Sequence, residues 1–419
     1  MKACKIPYCK EIPNDWQEIP NRYLFAYHSV KVGEHWRDYQ LLSLTTSGIK
    51  EKDINAGGGK VPDSYDKYQT VEPGDMIFCL FDLDVSAVFS GLSNHYGMIT
   101  SAYEVVKTNR NILDQGFSDY WFQYVFSNRY YKMYSKNIRF TITSEMFKAI
   151  NTPVPPLAIQ KKIACFLNEK TAKIDKLIEI ENQQIEKLKE YKQAVITEAV
   201  TKGLDKSAPM KDSGIEWIGE MPKNWNKIKV VNLFDEIGSG TTPKGERYYS
   251  DGTYNWIQSG DINGGNMYSC SKRVNNLALN DFSALKIYRA PYLIIAMYGG
   301  SVGHLSISHI DACCNQACCV MKSPKCNFDF AVFTFMAVKN YLLKSAIGGG
   351  QPNISQTIIK QLWFCSPSRK EQEQIVQHLK KECLVIDSLI SIKQKKIDML
   401  NEYKKSLIYE YVTGKKEVV

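Results

Sequence analysis

Apolar residues recur at intervals of three, four and seven along two stretches of the chain, a pattern that predicts two long helices. In the first stretch they are Ile163, Leu167, Ile174, Ile178, Ile185, Leu188 and Val195. The second carries Ile375, Leu379, Ile386, Ile390, Ile397 and Leu400, each 212 positions further on. This is the narrow stripe of a coiled-coil seam, and such a helix cannot bury it alone. Each stretch opens after a proline, Pro156 or Pro367. A helix of about 38 residues, or about 57 Å at 1.5 Å per residue, is expected in each. The economical solution is for the two helices to pack on each other, and the sequence between them is long enough to let them run antiparallel.

The stripe belongs to an internal repeat. Pro155 to Thr201 aligns with Pro367 to Thr413 without a gap, and eighteen of the 47 positions are identical. Among them are Gln160 and Gln372, Asp175 and Asp387, Leu177 and Leu389, Tyr191 and Tyr403, and Lys192 and Lys404. The repeat extends faintly beyond the helices. Ile12-Pro13-Asn14-Asp15-Trp16 is like Met221-Pro222-Lys223-Asn224-Trp225, and 142–148 matches 354–360 at the same offset. The duplicated unit is thus a globular domain followed by a long helix, which divides the chain into 1–152, 153–205, 206–363 and 364–419.

Both globular segments read as mixed and strand-rich. Met76-Ile77-Phe78-Cys79-Leu80 and Leu293-Ile294-Ile295-Ala296-Met297 have strand length and follow turn-forming residues. Gly57-Gly58-Gly59, Gly238-Ser239-Gly240, Gly299-Gly300 and Gly348-Gly349-Gly350 mark exposed loops. The expected class is α+β: two mixed α/β domains, each followed by a long helix, the helices forming an antiparallel coiled coil with an internal pseudo-two-fold repeat.

Composition narrows the function only modestly. The 419 residues carry a net charge of +9, which suits a polyanionic partner. No apolar run approaches the ~18 residues that would span a bilayer. The start, Met1-Lys2-Ala3-Cys4-Lys5, lacks a signal-peptide core, so a cytoplasmic protein with reduced thiols is expected. Cys313-Cys314-Asn315-Gln316-Ala317-Cys318-Cys319 has neither the CxxC pairs nor the histidines of a metal site, and reads as a strand with Cys standing in for Val or Ala.

The order of domain, helix, domain, helix resembles the specificity subunits of Type I restriction-modification systems, over nearly the whole chain. Local signatures carry the resemblance: 217–225 (Trp-Ile-Gly-Glu-Met-Pro-Lys-Asn-Trp), 238–244 (Gly-Ser-Gly-Thr-Thr-Pro-Lys), Ser259-Gly260-Asp261-Ile262, 297–303 (Met-Tyr-Gly-Gly-Ser-Val-Gly), Asn315-Gln316 and 350–354 (Gly-Gln-Pro-Asn-Ile). The first half departs from the pattern, with Ser47-Gly48-Ile49-Lys50 where the Ser-Gly-Asp loop is expected.

The resemblance implies two target-recognition domains, double-stranded DNA as ligand, a split asymmetric target and a role in phage defence. Base reading needs paired donors and acceptors, while Lys and backbone amides hold phosphates. The second-domain candidates are Lys244, Arg247, Gln258, Ser259, Asp261, Tyr298, Asn315, Gln316, Gln351 and Asn353; the first-domain ones are Lys50, Lys60, Lys67, Tyr68, His95, Tyr96 and Arg139. Asn315, Gln316 and Asp261 also suit a purely structural part, bonding their own turns.

No methyltransferase motif, nuclease carboxylate cluster or phosphate loop is present: Gly57-Gly58-Gly59-Lys60 is followed by Val61 where a Ser or Thr would bind magnesium. No catalytic or metal-ligating residue is expected. The resemblance therefore implies two methyltransferase subunits and ATP-driven restriction subunits, with S-adenosylmethionine, ATP and Mg held there and no cofactor or membrane contact here. Their docking surface would be the helical pair, whose polar faces include Lys173, Lys176, Glu186, Lys187 and Lys189. Two other readings stay open at this point: a fused enzyme with an unrecognised catalytic segment, and a structural coiled-coil protein with lectin-like or peptide-binding domains.

Overall fold

A computed structural model describes residues 1–45, 48–53, 64–84, 90–135, 140–344 and 353–418. Lys60, Arg139, Gln351 and the glycines at 57–59 and 348–350 lie outside them. The described chain divides into two compact units, 1–182 with 394–419, and 183–393.

The two long helices are Leu157–Lys202, of 46 residues, and Arg369–Val412, of 44. Both exceed the expected length of about 38 residues. Each runs on to the first residue able to close it in the left-handed region, Gly203 at φ 77° and Gly414 at φ 68°. The first turns are clasped alike: Gln160 Nε2 donates to the Pro155 carbonyl at 2.7 Å, and Gln372 Nε2 to that of Pro367 at 3.0 Å. The starts coincide at the repeat offset, whereas the closing glycines do not, since the residue 212 positions after Gly203 is Lys415.

In each unit the helix segments run antiparallel. Lys404 Nζ meets Asp175 at 2.7 Å and Lys396 Nζ meets Glu181 at 2.5 Å in the first unit, so partner numbers fall as position rises. In the second, Lys192 Nζ meets Asp387 at 2.7 Å and Lys393 bonds Gln184. Six repeat pairs of the stripe share one burial class: Ile163 and Ile375, Leu167 and Leu379, Ile174 and Ile386, and Ile185 and Ile397 are buried, while Ile178 and Ile390, and Leu188 and Leu400, are half-buried.

The first domain is built on a four-stranded antiparallel sheet, in the order Phe25–Tyr27, Glu104–Thr108, Asp75–Phe78, Ser90–Leu92. Helix Gln115–Ser127, capped by Asp114 accepting from the Phe117 amide at 3.0 Å, supplies Phe117, Trp121, Phe122 and Val125 to its core. Ile163 and Leu167 of the first long helix and Ile408 and Val412 of the second close the same core.

The second domain has a five-stranded sheet, Glu236–Gly238, Cys318–Lys322, Tyr292–Ala296, Leu305–Ser308 and Asn266–Met267. Beside it lies a three-stranded sheet, Lys272–Val274, Tyr254–Ile257 and Ala312–Cys314, and the helix Phe328–Lys344 packs on the core. Cys313, Cys314, Cys318 and Cys319 are buried strand residues, and burial pushes the thiols of Cys313, Cys318 and Cys319 up to about 12. They fill the core as small apolar side chains. The faint outer repeat is structural too: Thr143 and Ser355 cap matching short helices, accepting from Met146 and Ile358 amides at 3.2 Å each.

Candidate nucleic-acid interface

In the second domain, segments far apart in sequence meet at neighbouring strand ends. Strands Tyr254–Ile257 and Ala312–Cys314 are parallel, and the Asn315 amide continues their ladder by donating to the Ile257 carbonyl at 2.9 Å. The Met297 amide donates to Ala317 at 2.7 Å, and the Ile354 amide to Met297 at 2.9 Å. These bonds bring 257–261, 296–298, 314–318 and 353–354 together. Segment 238–242 joins them: a Cβ on Gly240 would lie 1.7 Å from the Cys314 carbonyl oxygen, so only glycine fits. Gly238-Ser239-Gly240 is accordingly half-buried and packed, where the sequence suggests an exposed loop.

Of the sequence candidates, this cluster gathers Gln258, Ser259, Asp261, Tyr298, Asn315, Gln316 and Asn353. Asp261 clasps its own loop, accepting from the Gln258 amide at 2.8 Å and the Ser271 amide at 3.0 Å. The Asn315 side-chain oxygen accepts from the Ala317 amide and from Cys318 Sγ, both at 3.1 Å. Those two carboxamide and carboxylate groups shape the turns, and their neighbours are left to face outward. Gln316 is exposed; its Oε1 accepts from Thr242 Oγ1 at 2.7 Å, and its amide nitrogen donates to no described residue. A Gln held at one end with its donors outward suits a base edge. Tyr298 and Asn353 are exposed and bridged to each other through their backbones.

Lys244 and Arg247 lie on the segment that follows. Lys244 is exposed, while the Arg247 guanidinium donates to Tyr248 Oη at 2.6 Å and lies 4.7 Å from that ring. Two nearby cations are neutralised, Lys286 by Glu236 and Arg289 by Asp311, each at 2.5 Å. Sequence reasoning missed one exposed aromatic pair. Tyr268, 69% exposed, stacks on His309 with ring centroids 4.8 Å apart, and His309 Nε2 contacts Asn266 Oδ1 at 2.8 Å. Only Gly264-Gly265 hinted at a loop there.

In the first domain segments 50–51 and 95–96 meet through Glu51 and His95, and Tyr39 and Tyr68 pack against one buried cluster of Val32, Leu41, Tyr65 and Met98. His95 Nδ1 lies 3.3 Å from Glu51 Oε1 beside exposed Lys50, and Tyr96 stacks on Tyr39 at 5.6 Å. A hydrogen bond with Tyr39 raises the Tyr96 phenol above its ordinary value. Tyr68 meets Tyr65 edge-on at 4.9 Å, beside Trp36, and burial raises its phenol; Lys67 is exposed, its carbonyl accepting from Ser101. Among the described residues no group of three or more His, Cys, Asp or Glu could hold a metal ion, and no helix is long and apolar enough to cross a membrane.

A family model described as "Type I restriction modification DNA specificity domain" matches residues 95–190 and 222–411. Two curated relatives come from Methanocaldococcus jannaschii. The provisionally named type I restriction enzyme MjaX specificity subunit is 26% identical over 317 residues, 74% of this chain and 70% of that protein. The type I restriction enzyme MjaVIII specificity subunit is 28% identical over 287 residues, 65% of this chain and 64% of that protein. A solved chain from work on complex assembly and conformational transition of the type I R-M system matches with a TM-score of 0.71 at 13% identity, covering 97% of this chain and 100% of that one.

Proposed function

Because this chain belongs to the Type I restriction-modification DNA specificity family, and is therefore a DNA-recognition subunit, we propose that its two domains read the two unlike halves of a split target. The observation that carries this reading is the polar cluster of the second domain. Five chain segments converge there to present Gln316, Tyr298 and Asn353 at strand ends, held from below by Asp261 and Asn315. Such an array has donors and acceptors in fixed places, and its one carboxylate, Asp261, is occupied by the Gln258 and Ser271 amides, which suits the reading of base edges. The first-domain cluster around His95, Tyr96 and Tyr39 has a different side-chain set, so its half-site differs. The spacer between half-sites is set by the helices.

The chemistry then belongs to partners, two methyltransferase subunits and the restriction subunits. Exposed residues identical in both copies of the helix support a duplicated docking site. Leu177 and Leu389 are 44% and 43% exposed, and Tyr191 and Tyr403 are 57% and 56% exposed. Packing within a unit does not require these identities; one kind of partner bound twice does. The polar residues named from sequence are less suited, since Lys173 pairs with Glu169 at 2.5 Å and Lys189 with Glu186 at 2.8 Å along their own helix.

Incubation with labelled S-adenosylmethionine and DNA tests the division of labour. The chain alone should transfer no methyl group, and adding methyltransferase subunits should restore transfer. Methylation by the isolated chain would favour the fused-enzyme reading.

A further inference from the structure

We infer that the seam between the two long helices is coded against pairing of like helices, so that the halves of this chain pair with each other and not with the matching half of a second copy. The observation is an asymmetry at one repeat position. In the first unit Lys396 Nζ donates to Glu181 Oε1 at 2.5 Å, and the Glu181 side chain is only 7% exposed. In the second unit the matching positions hold Lys393 and Gln184, which bond each other. Position 181 is thus Glu in one helix and Lys in the other, and position 184 is Gln in one and Lys in the other.

Pairing of two second helices in the same antiparallel register would set Lys393 against Lys396 of the other copy, twice. Pairing of two first helices would set Glu181 against Gln184, twice, and leave a largely buried carboxylate without its cation. Only unlike pairing gives every one of these groups an attractive neighbour, and the lysine contacts supply the repulsion on which partner choice rests. Asp175 with Lys404 and Lys192 with Asp387 do not discriminate. Each helix carries both an Asp and a Lys at those places, so any pairing rebuilds the bridges; they fix direction and register alone.

Side-chain volume repeats the message. Phe166 packs on Tyr411 with ring centroids 4.5 Å apart, whereas the matching positions hold His378 and buried Ala199. Like pairing would put Phe166 against Ala199 and Tyr411 against His378, leaving a gap in one seam and a polar ring in the other. If the recognition reading above holds, this code keeps two unlike domains on one pair of helices and the target asymmetric.

The test starts from the intact chain with a protease site placed between Leu204 and Ser207. The folded protein is cleaved, cycled through urea, and its species are counted by native mass spectrometry, since the halves differ in mass. The natural sequence should re-form the mixed species with under about one-tenth of symmetric pairs. The Q184K/K393E variant makes each helix self-complementary while keeping every mixed contact attractive, and should raise the symmetric fraction at least about five-fold. A statistical mixture from the natural sequence, failure of its mixed species to re-form, or an unchanged symmetric fraction in the variant would each overturn the inference. No DNA enters the assay, so its failure is separable from failure of the recognition reading.

Discussion

Lys404 bonds Asp175 at 2.7 Å, and the residues 212 positions from each, Lys192 and Asp387, form the same bridge at 2.7 Å in the other unit. Each lysine is more covered than its aspartate, 27% and 22% against 55% exposed, so the bond holds a lysine against the seam. Reversing one charge, D175K, should lower the urea midpoint by the equivalent of about 0.2–1 kcal/mol, with repulsion added. The double reversal D175K/K404D should recover most of the loss. Equal loss in single and double variants would show that the bridge contributes nothing.

The two helix-ending glycines should differ in their sensitivity to substitution. A Cβ on Gly203 would meet the Trp225 ring at 3.0 Å, whereas one on Gly414 would meet Pro13 at 2.5 Å as well as Trp16 at 3.0 Å. Both need a left-handed backbone, which costs a non-glycine residue about 1–3 kcal/mol. G203A should lower the melting temperature, and G414A should lower it further because proline cannot move aside. Equal melting temperatures for the two variants would contradict this.

In the second-domain cluster, Gln316 and Asn315 are adjacent but should behave differently. Q316A removes outward donors and should weaken binding to the cognate duplex by about 1–3 kcal/mol with little change on random DNA. N315A removes the acceptor for the Ala317 amide and should lower thermal stability and all DNA binding together. A uniform loss from Q316A, seen in paired titrations, would make Gln316 a phosphate or folding residue.

Asp119 gives a pH signature. Burial raises its carboxyl to about 6, against the bonds it accepts from Gln123 at 2.7 Å and the Leu92 amide at 3.2 Å. A carboxyl that holds its proton more tightly when folded stabilises the fold fully below about pH 4, and that contribution is lost as pH rises towards 6. The loss over that range is expected to be about 2 kcal/mol. D119N should flatten stability between pH 4 and 6, measured by urea denaturation; an unchanged slope would place the group elsewhere.

The helices were legible because their identities answer to repeated physical needs: Gln160 and Gln372 clasp a proline carbonyl, and the buried isoleucines and leucines fill one seam. The helices are longer than expected because each fills nearly the whole stretch free of Gly and Pro, with Ile196 and Val200 in one and Ile408 and Val412 in the other still buried near its end. In the second domain the short motifs converge, but their composition did not separate Asp261 and Asn315, which bond inward, from Gln316, which faces out. The Tyr268 and His309 stack joins residues 41 positions apart and has no local signal. In the first domain, Tyr39 joins Tyr96 across 57 positions.

Selection of bound duplexes from a random pool tests the central proposal most directly, using the chain with its methyltransferase subunits and sequencing the enriched DNA. The expected product is two unlike short motifs separated by a fixed run of indifferent bases. One continuous motif, a palindrome, or no enrichment at all would contradict the account.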